Sequence, residues 1–438
     1  MHSSITAAYL ARYRSLAAVA ELGPAGLLPL TGAQRRFLIT RRRDPRGRTD
    51  IVPLFFAFPR GAVDLPRLRR AAVRLAGHHP VLRGGFTVQR GTPVLRLGEP
   101  SVGVARVAVD PGEAPEGVDG PVRAALRRAL LDWPDDGPVL RLLLAAAPGD
   151  DEEVLAVALD HAACDEQSLG LVTEGLGAAY AVDGETAPAA AQDEAVEAYR
   201  AAVEGQLATE ANAASEAARA HWAARLGALG GPARDVRPAG AAWSTGMAVE
   251  RLPAVTGAAR GGVFPALLDA VAAAAQHLDG DGRVLALGYP WGGRPADADP
   301  VLGCFLNTLV HPAPPGPPRD LDALGAAWWD DLDHADTPYD EVVRAARTAG
   351  ASWSGALDGL LTFEDLHRRP PLVLGGTAGR EVHLAGRPLA APLAVSASHG
   401  ADLLVRLAWD RERYADPAAE AAFELVLATL RRHLGAAA

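Results

Sequence analysis

The chain has 438 residues, 49% of them apolar, and a formal net charge of −10 at pH 7. That length predicts two or three domains rather than one ordinary core, and the apolar content excludes a disordered chain. All 43 basic residues are arginine, which excludes lysine Schiff bases and phosphate-loop lysines, and the acidic balance argues against nucleic acid as a partner.

The start, MHSSITAAYLARYR, lacks the layout of a signal peptide. No stretch approaches the roughly 20 apolar residues of a membrane span. Two cysteines make no disulfide framework, so a cytoplasmic protein is expected.

In chain order, residues 5–20 read as an amphipathic helix, and LTGAQRRFL (30–38) follows a Pro/Gly turn. Between Arg35 and Arg48 there are seven arginines against one Asp. This is either a solvated basic loop or a docking patch for an acidic partner, with Arg41, Arg42 and Arg43 at its centre. A helix starts at Asp64–Leu65–Pro66 and puts Leu68, Ala71, Ala72 and Leu75 on one face. His78 and His79 have no Cys, Asp or Glu at ligand spacing nearby, so no metal site is expected. A strand follows over 86–97 and a helix over 122–131. Residues 139–147 and 154–159 read as a strand pair joined by an acidic turn.

The stretch 154–180 organises the rest. Residues 154–159 are small and branched apolar side chains, as in a buried strand, while Leu169, Val172, Leu176 and Tyr180 recur at helical steps. DHAACDE (160–166) lies between strand and helix, so His161 sits near free N–H groups, which disfavour a cationic ring. On position alone His161 is either a hydrogen-bonded structural residue or a general base for near-neutral pH. Asp165 is equally readable as an N-cap.

The Ala/Pro-rich segment 183–195 reads as a linker between domains 1–183 and 196–438. Beyond it come helices over 196–229, 263–278, 321–333, 339–348 and 418–434 and strands over 284–289, 301–310, 360–363 and 403–408, with a loop-rich stretch at 364–388. Both halves alternate helices and strands, which predicts an α/β architecture of two lobes.

The order of motifs resembles that of a condensation domain of nonribosomal peptide synthetases, within the wider acyltransferase family that includes chloramphenicol acetyltransferase. LTGAQRRFL resembles the opening S-x-A-Q-x-R, HHPVLRGGF (78–86) resembles R-H-x-x-L-R-x-x-F, and DHAACDE takes the place of H-H-x-x-x-D-G. GRP (293–295) with GCFLNTL (303–309) resembles G-R-P…G-x-F-x-N-T, and HADTPYDEV (334–342) the later H-x-x-x-P-x-x-x-V. The resemblance covers nearly all of residues 28–434.

It implies a V-shaped pair of acetyltransferase-like lobes with a central tunnel. Two carrier proteins would present phosphopantetheine-bound substrates there, with no cofactor bound permanently and no metal. His161 would be the catalytic residue, Asp165 and Arg294 a structural clamp, and Asn307 either a hydrogen-bonding group near the site or a satisfied core amide. Asp160, Glu166, Cys164 and Cys304 would lie along the substrate tunnel. The acceptor would be a small-molecule amine or an aminoacyl group.

The first motif His is replaced by Asp160 and the motif Gly by Glu166. A glycine lets substrate approach the backbone, so Glu166 would narrow the acceptor mouth or meet a cationic acceptor. Both carboxylates would raise the His161 pKa. Cys164 is either a buried hydrophobe or an acyl relay. The expectation is a free-standing condensation enzyme that forms amides. The alternatives are an inactive domain recruiting a carrier protein or oxygenase, and an ester-forming or coenzyme A-dependent acyltransferase.

Overall fold

Apolar runs become the strands of two mixed sheets, each in its own compact unit of this computed structural model. The structure describes residues 4–435 except 19–25, 45–46, 48, 111, 113–119, 135–136, 183–188, 232–243, 293, 295–300, 317–318, 367–368 and 385–387. Among the described residues, no helix is long and apolar enough to cross a membrane.

The first unit comprises Met1–Ala208, Gly292–Leu306 and Arg368–Arg387. Its five-stranded sheet has the order Arg380–Val382, Ile51–Pro59, Glu152–Asp160, Leu140–Ala145, Val102–Arg106. The motif strand Glu152–Asp160 is central and antiparallel to both neighbours, with Ile51 opposite Asp160. Its unbroken apolar run reflects burial on both faces. Leu155, Val157 and Leu159 join the main core, whereas Ala156 and Ala158 meet a smaller cluster around Leu126, Leu130 and Trp133. The period of two is thus written as large against small rather than apolar against polar.

The expected single strand over 86–97 is a hairpin, Gly84–Gln89 with Thr92–Leu97. It turns at Arg90 and Gly91, which have φ of 47° and 77°. A two-residue turn of this kind needs positive φ at both central positions, and the chain supplies one glycine.

The second unit comprises Thr209–Trp291, Asn307–His367 and Pro388–Ala438. Its six-stranded sheet runs Asn307–Ala313, Leu285–Trp291, Gly359–Asp365, Leu393–His399, Asp402–Asp410, Thr245–Pro253. The helices Val263–Asp279 and Asp416–Leu434 share its core.

These units do not follow a partition at 183–195. A helix, Ala189–Ala213, runs through the later part of that segment, and residues 183–188 lie outside the described ones. Alanine is as good a helix former as a linker residue, and Val196, Tyr199, Val203 and Leu207 at three- and four-residue steps bury in the first unit's core. Two later segments also belong to the first unit. Leu302 and Phe305 pack into its core, so the strand expected over 301–310 exists only as Asn307–Ala313. Within the loop-rich stretch 364–388, Leu372 and Leu374 join the same core and Arg380–Val382 adds an edge strand beside Ile51–Pro59.

Candidate active site

The strand–loop–helix of DHAACDE is held at both ends by aspartates acting as caps. Asp160 closes the motif strand, its N–H donating to the Val139 carbonyl (3.0 Å), and its Oδ1 accepts the Ala162 N–H (2.9 Å), capping a short turn over His161–Ala163. Asp165 caps the helix Glu166–Ala181 by accepting the Ser168 N–H at 2.9 Å. The cap is only part of its work. One Arg294 nitrogen donates to both Asp165 oxygens at 2.8 and 2.9 Å, and the Phe305 N–H donates to Oδ2 at 3.1 Å.

Arg294 also donates to the carbonyls of Val301 and Gly303, and its guanidinium lies 4.6 Å over the Phe305 ring. The Ser168 hydroxyl accepts from Arg294 (2.9 Å) and from the Gly303 N–H (3.1 Å). A single buried aspartate therefore organises the helix start and the later segment together. The clamp read from the motif order is present, with both side chains 8% exposed.

His161 leaves this frame as a partly exposed residue. Nδ1 lies 3.2 Å from the Cys164 carbonyl, which only accepts, so Nδ1 carries the hydrogen and Nε2 of the neutral ring carries the lone pair. The ring stacks on Phe37 with centroids 4.1 Å apart. Burial is the main influence pulling its pKa below the ordinary value; Arg36 adds to this and Asp165 opposes it. Asp160 and Glu166 do not act as the expected acidic flanks, because both carboxylates are engaged by arginines.

Asp160 accepts from Arg41, which also donates to Asp50. Burial pushes the Asp160 carboxyl up, while Arg41 and the Ala162 N–H pull it back. Glu166 is the first residue of its helix and half exposed. It accepts from Arg369 at 2.6 Å, and Arg369 also donates to Glu381 at 2.8 Å. Its carboxylate is neutralised within the first unit by the 368–387 segment, which works against the expected role as a charge for a cationic acceptor.

The other tunnel residues also need correction. Asp160, Cys164 and Cys304 are 8%, 1% and 0% exposed, so they pack inside the unit rather than line an open passage. Burial raises both thiols, Cys164 far above its usual range, so neither is a thiolate fit for acyl relay. Arg41 turns inward to its two aspartates; of the three arginines at the centre of the proposed docking patch, Arg42 and Arg43 are exposed. Asn307 lies in the second unit and donates to the Ala335 (2.8 Å) and Thr337 (2.7 Å) carbonyls, which makes it a satisfied amide pinning the HADTP turn.

Much of the loop is gripped by the helix Gly32–Arg43, whose role the motif order alone did not reveal. Gln34, Phe37 and Arg41 stand at i, i+3 and i+7, one face of a helix, and reach Ala162, His161 and Asp160 respectively. Gln34 donates to the Ala162 carbonyl at 2.8 Å and closes a capping box with Thr31. The T-G-A-Q spacing of that box was readable as a helix start. Thr31 donates in turn to the Cys304 carbonyl at 2.8 Å.

No family model matches the chain. Its sequence is 30% identical over 374 residues to the phenyloxazoline synthase MbtB of Mycobacterium bovis, matching 80% of this chain and 24% of that protein. It is equally 30% identical to the AMB antimetabolite synthetase AmbE of Pseudomonas aeruginosa, across 78% of this chain and 16% of that protein. A third relative, the nonribosomal peptide synthetase CymA of Salinispora arenicola, matches at 30% over 72% of this chain and 4% of its own length. The chain thus spans a quarter or less of these curated relatives.

Among solved structures, the first condensation domain of the CDA synthetase superposes with a TM-score of 0.66 at 19% identity, over 93% of this chain and 96% of that one. The X-domain from teicoplanin biosynthesis does so with 0.64 at 18%, over 92% and 94%. The chain has the α/β condensation-domain fold. With its sequence relatives among peptide synthetases, it belongs to the condensation-domain family.

Proposed function

We propose that this chain joins a carrier-protein-bound acyl or aminoacyl thioester to an amine, forming an amide in the assembly of a peptide natural product. The observation that carries the reading is the setting of His161, a partly exposed residue whose Nδ1 is held by the Cys164 carbonyl, which leaves Nε2 clear of that bond, and whose pKa is lowered by burial. A protonated amine is not a nucleophile, and a neutral imidazole can take its proton or hold it in place. The amine nitrogen bonds to the thioester carbon, the carbon–sulfur bond breaks, and the proton released by the amine goes to the departing thiolate. Phe37 and the Cys164 carbonyl hold the ring so that it does not have to be oriented at the moment of reaction. Carrier proteins are the partners this reading requires, and their phosphopantetheine arms bring the substrates.

The test is His161→Ala, assayed by intact mass of loaded donor carrier protein with an amine acceptor. The expected result is loss of product formation by a factor of about 100 or more. Unchanged product would favour the second reading, a recruiting domain without catalysis, to which the teicoplanin X-domain likeness gives weight. Product with an alcohol acceptor or a coenzyme A thioester, but none with an amine, would move the chemistry to ester formation or free acyl transfer.

A further inference from the structure

The strands Ile51–Pro59 and Glu152–Asp160 are antiparallel, so the start of one lies beside the end of the other. Asp50 immediately precedes the first, and Asp160 ends the second. His161 leaves the sheet at this corner, and its own N–H donates to the Asp50 carbonyl at 2.7 Å. Arg41 bridges the corner: Nε donates to Asp50 Oδ2 and Nη2 to Asp160 Oδ2, each at 2.5 Å. Both aspartates are buried, at 3% and 8% exposure, where an unpaired carboxylate is costly.

We propose that Arg41 is a positioning residue for His161: it staples the two strand ends from which the histidine emerges and neutralises the carboxylates beneath it. The Asp50 carbonyl accepts the His161 N–H, and the other oxygen of the stapled Asp160 accepts the next N–H, that of Ala162. One turn earlier on the same helix, Phe37 stacks on the ring. A single helix thus sets both the backbone of His161 and the face of its imidazole. The staple requires a fork, because Nε and Nη2 take different carboxylates, and a lysine ammonium is a point charge that cannot reproduce it.

The staple also governs charge. Among the described residues, the charged and titratable groups near His161 include Arg36 and Arg41 from the helix, Asp50 at the neighbouring strand, and Asp160, Cys164 and Asp165 from its own loop. Without Arg41, the buried Asp160 carboxylate next to His161 loses its guanidinium partner, and the imidazolium gains stability.

The proposal rests on the reading of His161 as the working group only for its effect on rate; the ring titration tests it separately. Histidine-ring NMR of the full chain across pH, with His161 assigned by its loss in His161→Ala, compares the parent with Arg41→Ala and Arg41→Ala/Asp160→Asn. The expected result is a His161 titration raised by about one to three units in Arg41→Ala and lowered again in the double variant. A His161 titration unchanged in Arg41→Ala would overturn the proposal and leave Arg41 a packing residue.

Should Arg41→Ala not fold, Arg41→Lys serves. A smaller rise in the same direction supports the staple, and a titration identical to the parent refutes it. Normal product formation by His161→Ala would remove the enzymatic reading while leaving this titration result standing.

Discussion

Asp165 and Glu166 are consecutive carboxylates, each met by an arginine far along the chain, and they occupy opposite regimes of electrostatics. The Asp165–Arg294 pair has both side chains 8% exposed, with further donors from Ser168 and Phe305. In the Glu166–Arg369 pair the carboxylate side chain is 50% exposed and the guanidinium 5%. In the buried pair, removing one partner strands a charge away from water. In the other, water solvates the carboxylate whether or not the arginine is present. The contrast separates the part of the motif that holds the loop from the part that decorates its rim, although both look the same in a list of ion pairs.

The largest expected effect follows from the buried side. Asp165→Ala is expected to cost about 3–5 kcal/mol of unfolding free energy, measured by chemical denaturation, because Arg294 and two N–H groups lose their acceptor. A loss below about 1 kcal/mol, the range of an exposed pair, would erase the distinction between the neighbours.

An intermediate effect comes from pH, and it sharpens the comparison by exposing the histidine background. Burial pushes His79 down to about 4, and it also holds His161 below its ordinary value. The unfolded chain therefore binds more protons than the native one between pH 4 and 6.5, and stability rises with pH through that window. Denaturation midpoints at pH 4.5 and 7 should show the rise, and His79→Gln should reduce it, with the buried His311 supplying part of what remains. An equal slope in that variant would mean that His79 is not held neutral.

The smallest effect belongs to the rim: Glu166→Gln should change stability by no more than about 1 kcal/mol. The same titrations run in 1 M salt should shrink the Glu166 effect and leave the Asp165 effect nearly intact. Equal salt sensitivity at the two positions would show that exposure does not rank them.

The motif order paired Asp165 with Arg294, and that contact is present across 129 residues of sequence, although the expected boundary at 183–195 put the two in different domains. The remaining site residues were harder to read. Asp160 and Glu166 looked like free acids beside a histidine because sequence shows a charge without its partner. Those partners, Arg41 and Arg369, lie 119 and 203 residues away. Arg41 was misleading for the same reason, since three consecutive arginines look like a surface patch until one of them turns inward. The cysteines were placed along a passage because they fall inside motifs, but motif membership says nothing about which way a side chain faces. Gln34, Phe37 and Arg41 have the spacing of one helical face, but that stretch was read as a basic loop or patch, and nothing local says what such a face grips.

By itself the sequence determined the local elements of this site: a buried strand ending in Asp160, a histidine after it, a capping aspartate and an apolar-faced helix. Periodicity and capping act over a few residues and need no knowledge of the rest of the chain. Only the tertiary structure decided which arginine meets which carboxylate, that segments 292–306 and 368–387 complete the first unit, and that the His161 ring stacks on Phe37. Those outcomes depend on burial and on contacts between distant residues, and the free energy of a charge is set by what surrounds it in space.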